Sequence, residues 1–124
     1  MRLLFRLVFI TAFLGIGSAA SAQQAYDEFV GQYLAARDIA KTCKGIFVLD
    51  EQSAGQIAKT KHRLRKQRFL VLVFYAQEEF HVYVRNKALK DRGIDRQNKK
   101  QLCRFGRKIA NKNDAIGRFL RLKQ

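Results

Sequence analysis

The chain of 124 residues has no proline, no tryptophan, two cysteines and ten acidic residues against twenty-five Lys and Arg. Without proline, helices joined by short connections are favoured over a loop-rich β-fold. The cysteines, Cys43 and Cys103, lack the C-x-x-C spacing of a redox motif. Glu78 and His81 stand in the i, i+3 relation used by di-iron helical bundles, but such a centre needs two of these units and two further glutamates. Past residue 22 the chain holds only Glu28, Glu51, Glu78 and Glu79, and a second Glu-x-x-His unit is missing. Ser53 is the only serine in that stretch and has no G-x-S-x-G setting. Glu78 and Glu79 are neighbours and point to different sides of a helix, so they make no acid–base pair. Gly45, Gly55, Gly93, Gly106 and Gly117 form no phosphate loop. These absences argue against an enzyme: they leave no catalytic residue, no metal ligand set, no cofactor and no small-molecule substrate to name.

A long apolar run is missing too, although a short one opens the chain. Arg2 and Arg6 precede a nearly apolar stretch, Leu7–Ile16, and the small-residue triplet Ala20-Ser21-Ala22 comes after it. A membrane span needs about twenty apolar residues. The pattern of charged start, short apolar core and A-x-A site is that of a secretory signal peptide. Residues 1–22 are therefore expected to be removed in export to the periplasm or beyond, leaving 23–124 as one domain. In an oxidising compartment a Cys43–Cys103 disulfide is the default expectation, with a redox pair or an intermolecular bridge as alternatives. It would close a loop of about sixty residues.

Acids are scarce, and unevenly so. Residues 23–58 carry three basic and five acidic side chains, whereas residues 59–124 carry twenty and five. The densest run comprises Lys59, Lys61, Arg63, Arg65, Lys66 and Arg68, six cations in ten residues with no acid between them. A charge run is most simply a solvated helix face. The concentration here exceeds what solubility requires, and such tracts bind polyanions through salt-dependent counterion release. These six are the candidate anion-binding residues. Among periplasmic polyanions a membrane surface takes first place, since each basic residue near an anionic leaflet gains about 1 kcal/mol. An acidic protein is the other candidate partner. Nucleic acid is disfavoured, because the aromatic residues past the signal segment fall mostly at apolar helix positions. His62, within the basic run, is expected to be a surface residue.

Helical spacing is clearest over Ala25–Cys43, with Asp27 and Glu28 in its first turn, where acids suit the helix macrodipole. Lys44–Asp50 is too short to assign between strand and helix. Asp50 or Ser53 is placed to cap a second helix through Ile57, Ala58 and Leu64. Arg68–Val84 reads either as a β-hairpin or as a helix. The link Gln77-Glu78-Glu79 lacks turn residues, which favours a helix with Phe69, Leu72, Val73, Ala76, Phe80, Tyr83 and Val84 on one face, continuing through Lys90. Gly93 suits a left-handed helix stop, with Ile94 as its apolar contact. Asp95 can cap the next helix. Asn98–Asn111 places Leu102, Cys103, Phe105, Gly106, Ile109 and Ala110 on a broad face. Asn113 or Asp114 is placed to cap a last helix through Ile116, Phe119 and Leu120. The expected fold is all-α: a small four- to five-helix disulfide-closed domain after a signal peptide.

Four blocks occur in order: Ile39–Cys43, Ala88–Asp95, Leu102–Ala110 and Ile116–Arg121. Together they resemble a family of small, exported, two-cysteine helical proteins from alphaproteobacteria, filed as a domain of unknown function. The resemblance covers most of residues 37–121, and it departs at the basic tract Lys59–Arg68 and at the run Phe69–Val73. It implies a helical fold and a Cys43–Cys103 bridge, and it supplies no activity.

Two readings of function are open. The first is an exported interaction module whose basic face contacts an anionic envelope surface or an acidic partner. The second is a structural or stress-protective envelope protein without a dedicated ligand. One continuous face holding Lys59, Arg63, Lys66, Arg85, Lys87 and Arg92 favours the first. Cations interleaved with Asp91, Asp95 and Glu79 favour the second. Contact with DNA would need a groove flanked by exposed aromatics.

Overall fold

The computed structural model describes the backbone of residues 2–75 and 78–124, and side chains for 21–74 and 79–124. It is mostly helical: α1 (Arg2–Thr42), α2 (Glu51–His62), α3 (Lys66–Tyr75), α4 (Glu78–Lys90) and α5 (Lys99–Ile109). α1 contains the helix expected over Ala25–Cys43 and continues back through residues 2–24, whose side chains up to Ala20 lie outside the described residues. Among the described residues no helix is long and apolar enough to cross a membrane.

The exception to an all-helical fold is a two-stranded antiparallel sheet. β1 (Phe47–Leu49) pairs with β2 (Leu120–Leu122) in the register Phe47–Leu122, Val48–Arg121, Leu49–Leu120. The last expected helix is thus a single 3-10 turn, Gly117–Phe119, and Leu120 opens a strand instead. Asp114 still organises the turn, its carboxylate accepting from the N–H groups of Ile116 and Gly117 at 2.9 and 3.0 Å. Strand pairing wins because it satisfies the backbone of both chain segments at once. The ladder is extended by bonds from Asp50 N–H to the Phe119 carbonyl and from Lys123 N–H to the Ile46 carbonyl.

Asp50, rather than Ser53, caps α2, accepting from the Ser53 N–H at 2.9 Å. α2 ends at His62, short of Leu64, because Arg63 turns left-handed (φ 54°). The described residues of 68–84 are helical and not in a hairpin, lying in α3 and α4, while residues 76 and 77, and with them Ala76 of the expected face, lie outside the described residues. Of that face Phe69, Val73 and Val84 are buried, whereas Leu72 and Tyr83 are exposed. Only the positions that meet the core are covered, a narrower stripe than the one the apolar spacing draws. The stop after α4 is a Schellman motif, with Gly93 at φ 71° and bonds from Ile94 N–H to Leu89 and from Gly93 N–H to Lys90. Asp95 accepts from Gln97 N–H in a local turn, and Asn98 is the residue that caps α5, through Gln101 N–H.

The core lies along α1. Phe29, Tyr33, Phe69 and Phe119 form an aromatic cluster with ring centroids 5.0–5.9 Å apart. Lower down, Ile39 and Cys43 face α5 and Phe47 across Gly106. Cys43 and Cys103 form the expected intramolecular disulfide, Cα–Cα 5.8 Å, joining the end of α1 to α5. α1 and α4 pack so closely at Gly31 that a Cβ there would collide with the Val84 carbonyl.

Candidate anion-contacting surface

The basic tract spans the end of α2, the link and the start of α3. Lys59 and Lys61 stand in the last turn of α2, where the negative end of the macrodipole favours them. Arg63 and Arg65 lie in the link. Its reversal is fixed by the left-handed Arg63 and by a 2.9 Å bond from Leu64 N–H to the Ala58 carbonyl. Leu64 is half-buried and anchors the turn against the core. Lys66 and Arg68 begin α3, whose first turn has no acid. The aliphatic stem of Lys66 lies over Gly55, so that α2 and α3 pack through a long side chain with its charged end outward.

All six cations are exposed, and none takes part in an ion pair among the described residues. The four ion pairs found there use other groups: Arg96–Asp38 (2.7 Å), Arg92–Asp114 (2.6 Å), Lys87–Asp91 (2.9 Å) and Arg121–Asp50 (2.9 Å). Four of the chain's ten acids are thus paired with other cations. Lys66 and Arg68 moreover stand at the positive end of the α3 dipole, where like charge is unfavourable. Local conflicts of this kind concentrate at functional sites.

His62 is not a plain surface residue. It is half-buried, stacked on Phe29 at 4.9 Å and edge-on to Tyr26 at 5.6 Å. Burial, then Lys61 and Arg118, hold its pKa below the ordinary histidine value, so it adds no charge to the tract at neutral pH. His81 is half-buried as well, and its Nε2 has no hydrogen-bond partner among the described residues. Burial is also the leading cause of its lowered pKa. The side chain of Glu78, its i−3 neighbour, lies outside the described residues. Among those that are described, no group of three or more His, Cys, Asp or Glu is gathered.

The cations on and just after α4 differ from the tract. Lys87 pairs with Asp91, Arg92 forks onto Asp114, and Arg85 is half-buried near Arg96 and Asp38. They are therefore interleaved with acids, and the continuous face running from Lys59 to Arg92 does not form. A groove of about 780 Å³ between α1 and α4 is bordered by Phe80 and Tyr83, but also by Asp27, Glu28 and Asp91. Acids in that position repel phosphates.

A second basic surface was not singled out from the sequence. On α5, Lys100, Arg104, Arg107 and Lys108 are exposed, opposite the buried Leu102, Phe105 and Ile109. Their spacing of i, i+4, i+7, i+8 is the signal that identifies it. It passes unnoticed when only the density of charge is followed.

No family model, curated protein or solved structure matches the chain. The resemblance to exported two-cysteine proteins rests on its short sequence blocks alone. The disulfide is of the kind that forms and persists in an oxidising compartment outside the cytoplasm.

Proposed function

We propose that the protein is an exported, periplasmic or secreted, helical interaction module that is cleaved after Ala22. In this reading the Lys59–Arg68 tract contacts an anionic partner, either an envelope surface or an acidic protein, without catalysis. One observation carries the reading: six exposed cations lie together on one helix–turn–helix with no acid among them and no ion pair among the described residues. The cations on and just after α4 are interleaved with acids, as the structural alternative expects, but the tract is not, and a surface shaped only for solubility would intersperse both signs.

Counterion release supplies the test. Binding to anionic vesicles or to polyglutamate should weaken steeply between low and physiological salt. The variant K61Q/R63Q/R65Q/K66Q should lose most of that binding with its helical circular dichroism unchanged, because glutamine is about as good a helix former. Equal binding by the variant and the parent would leave the charge as a solvated surface and favour the structural or stress-protective alternative.

A further inference from the structure

α3 has an apolar stripe on each of two sides. Phe69 and Val73 are buried against the core. The opposite side carries Gln67, Val71 (52% exposed) and Phe74 (59%), with Arg68 beside it near the start of the helix, while Leu72 lies on a flank in a pocket with Tyr26, Asp27 and His81. The guanidinium of Arg37 lies 4.8 Å from the Phe74 ring and leaves the rest of the ring open. No acid occurs anywhere from Lys59 to Phe74. The exposed apolar residues of α4, Val82 and Tyr83, belong to a different surface, since they share a groove with Glu79 and Asp91.

We propose that the α2–α3 knuckle docks on an anionic lipid bilayer, with Val71 and Phe74 entering the acyl boundary and the Lys59–Arg68 cations at headgroup level. The inference rests on the anion-contact reading of the same tract and names its partner. An acidic protein would account for the cations but would leave two apolar side chains facing its charges. A bilayer presents the two chemistries in the order in which α3 presents them, anionic outside and apolar beneath. The dimensions agree. Arg68 and Phe74 are about 9 Å apart along the axis, so the cations can stay among the headgroups while Val71 and Phe74 reach the acyl boundary.

The chain has no tryptophan, so F74W introduces a single reporter. The probes are phosphatidylcholine vesicles with and without about one-third phosphatidylglycerol, a negative surface that attracts polybasic segments, and soluble polyglutamate. The protein is the form recovered from expressing cells, with its N-terminus determined by mass. The F74W emission should shift to the blue only with the anionic vesicles and be quenched by lipids brominated in the acyl chain. V71S/F74S should bind those vesicles about ten- to hundredfold more weakly, from loss of two half-buried apolar side chains, and should bind polyglutamate as the parent does. An unshifted F74W, or vesicle binding by V71S/F74S equal to the parent, overturns lipid insertion and leaves the anion-contact reading standing. Tighter binding to polyglutamate than to anionic vesicles assigns the tract to an acidic protein and overturns the lipid assignment. Undiminished binding of K61Q/R63Q/R65Q/K66Q to all probes overturns the underlying reading, and this proposal with it.

Discussion

Two regions of this small protein are built on opposite terms. Where the end of α1 meets β1, α5 and β2, the chain is held by a disulfide, a strand ladder and two Arg–Asp contacts that bridge distant segments, Arg96–Asp38 and Arg121–Asp50. In the α2–α3 knuckle the six cations face water with no ion pair among the described residues, and apolar side chains stay exposed. The first region is held by bonds that join distant segments of the chain. The second leaves its charges and much of its apolar surface uncommitted, which costs stability locally and is what a contact surface requires. Both share the aromatic cluster on α1, so the knuckle is positioned by a core to which its own exposed residues contribute nothing.

The sharpest way to break this contrast is to remove the disulfide. C43A/C103A should lower unfolding free energy by about 4 kcal/mol in a denaturant titration, from the chain entropy of a loop of about sixty residues. Salt-dependent anion binding should persist wherever the variant is still folded. Next in size is Gly31→Ala, which forces a methyl group into the backbone of α4. A loss of about 1–3 kcal/mol is expected, typical of overpacking, and a variant as stable as the parent would show that α1 and α4 separate without cost. Asp114→Ala removes the anchor of the 3-10 turn and the partner of Arg92, for a loss of about 1–2 kcal/mol.

Asp114 also sets an acid limit. Although burial works to raise its pKa, hydrogen bonds from Arg92 and from the Gly117 and Ile116 N–H groups prevail and bring it from 3.8 to about 2. A carboxylate depressed on folding stabilises the native state above its unfolded pKa and loses that effect as pH falls through the folded one. Stability should therefore decline between about pH 4 and 2, and an Asp114→Asn variant should show a shallower decline in an acid titration followed by circular dichroism. The smallest expected effect is on the knuckle itself. K61Q/R63Q/R65Q/K66Q should change stability by no more than about 0.5 kcal/mol, as surface substitutions usually do, and a larger loss would mean that the tract is structural after all.

Several parts of this architecture are legible in the sequence because each is a local or compositional fact. Gly93 followed by Ile94 is a helix stop written in two residues, Asp50 caps from its own position, and two cysteines in a chain of this kind have one intramolecular pairing available. The six cations announce themselves by density. Other features depend on partners far away in the chain. Leu120–Leu122 has apolar residues enough for a helix and becomes a strand only because Phe47–Leu49, far back in the chain, lies alongside. His62 looks solvated among lysines and arginines until α2 lays it on Phe29.

The helical character of the chain, the place of its basic tract and the disulfide that closes it were written in the order of its residues. Propensity, charge density and cysteine count act without knowledge of neighbours. Packing alone settled which cations are paired with acids and which apolar residues of 69–84 reach the core. The first depends on where Asp38, Asp50 and Asp114 come to stand beside Arg96, Arg121 and Arg92, the second on how α3 and α4 meet α1, and burial is a property of the assembled elements that no single periodicity contains.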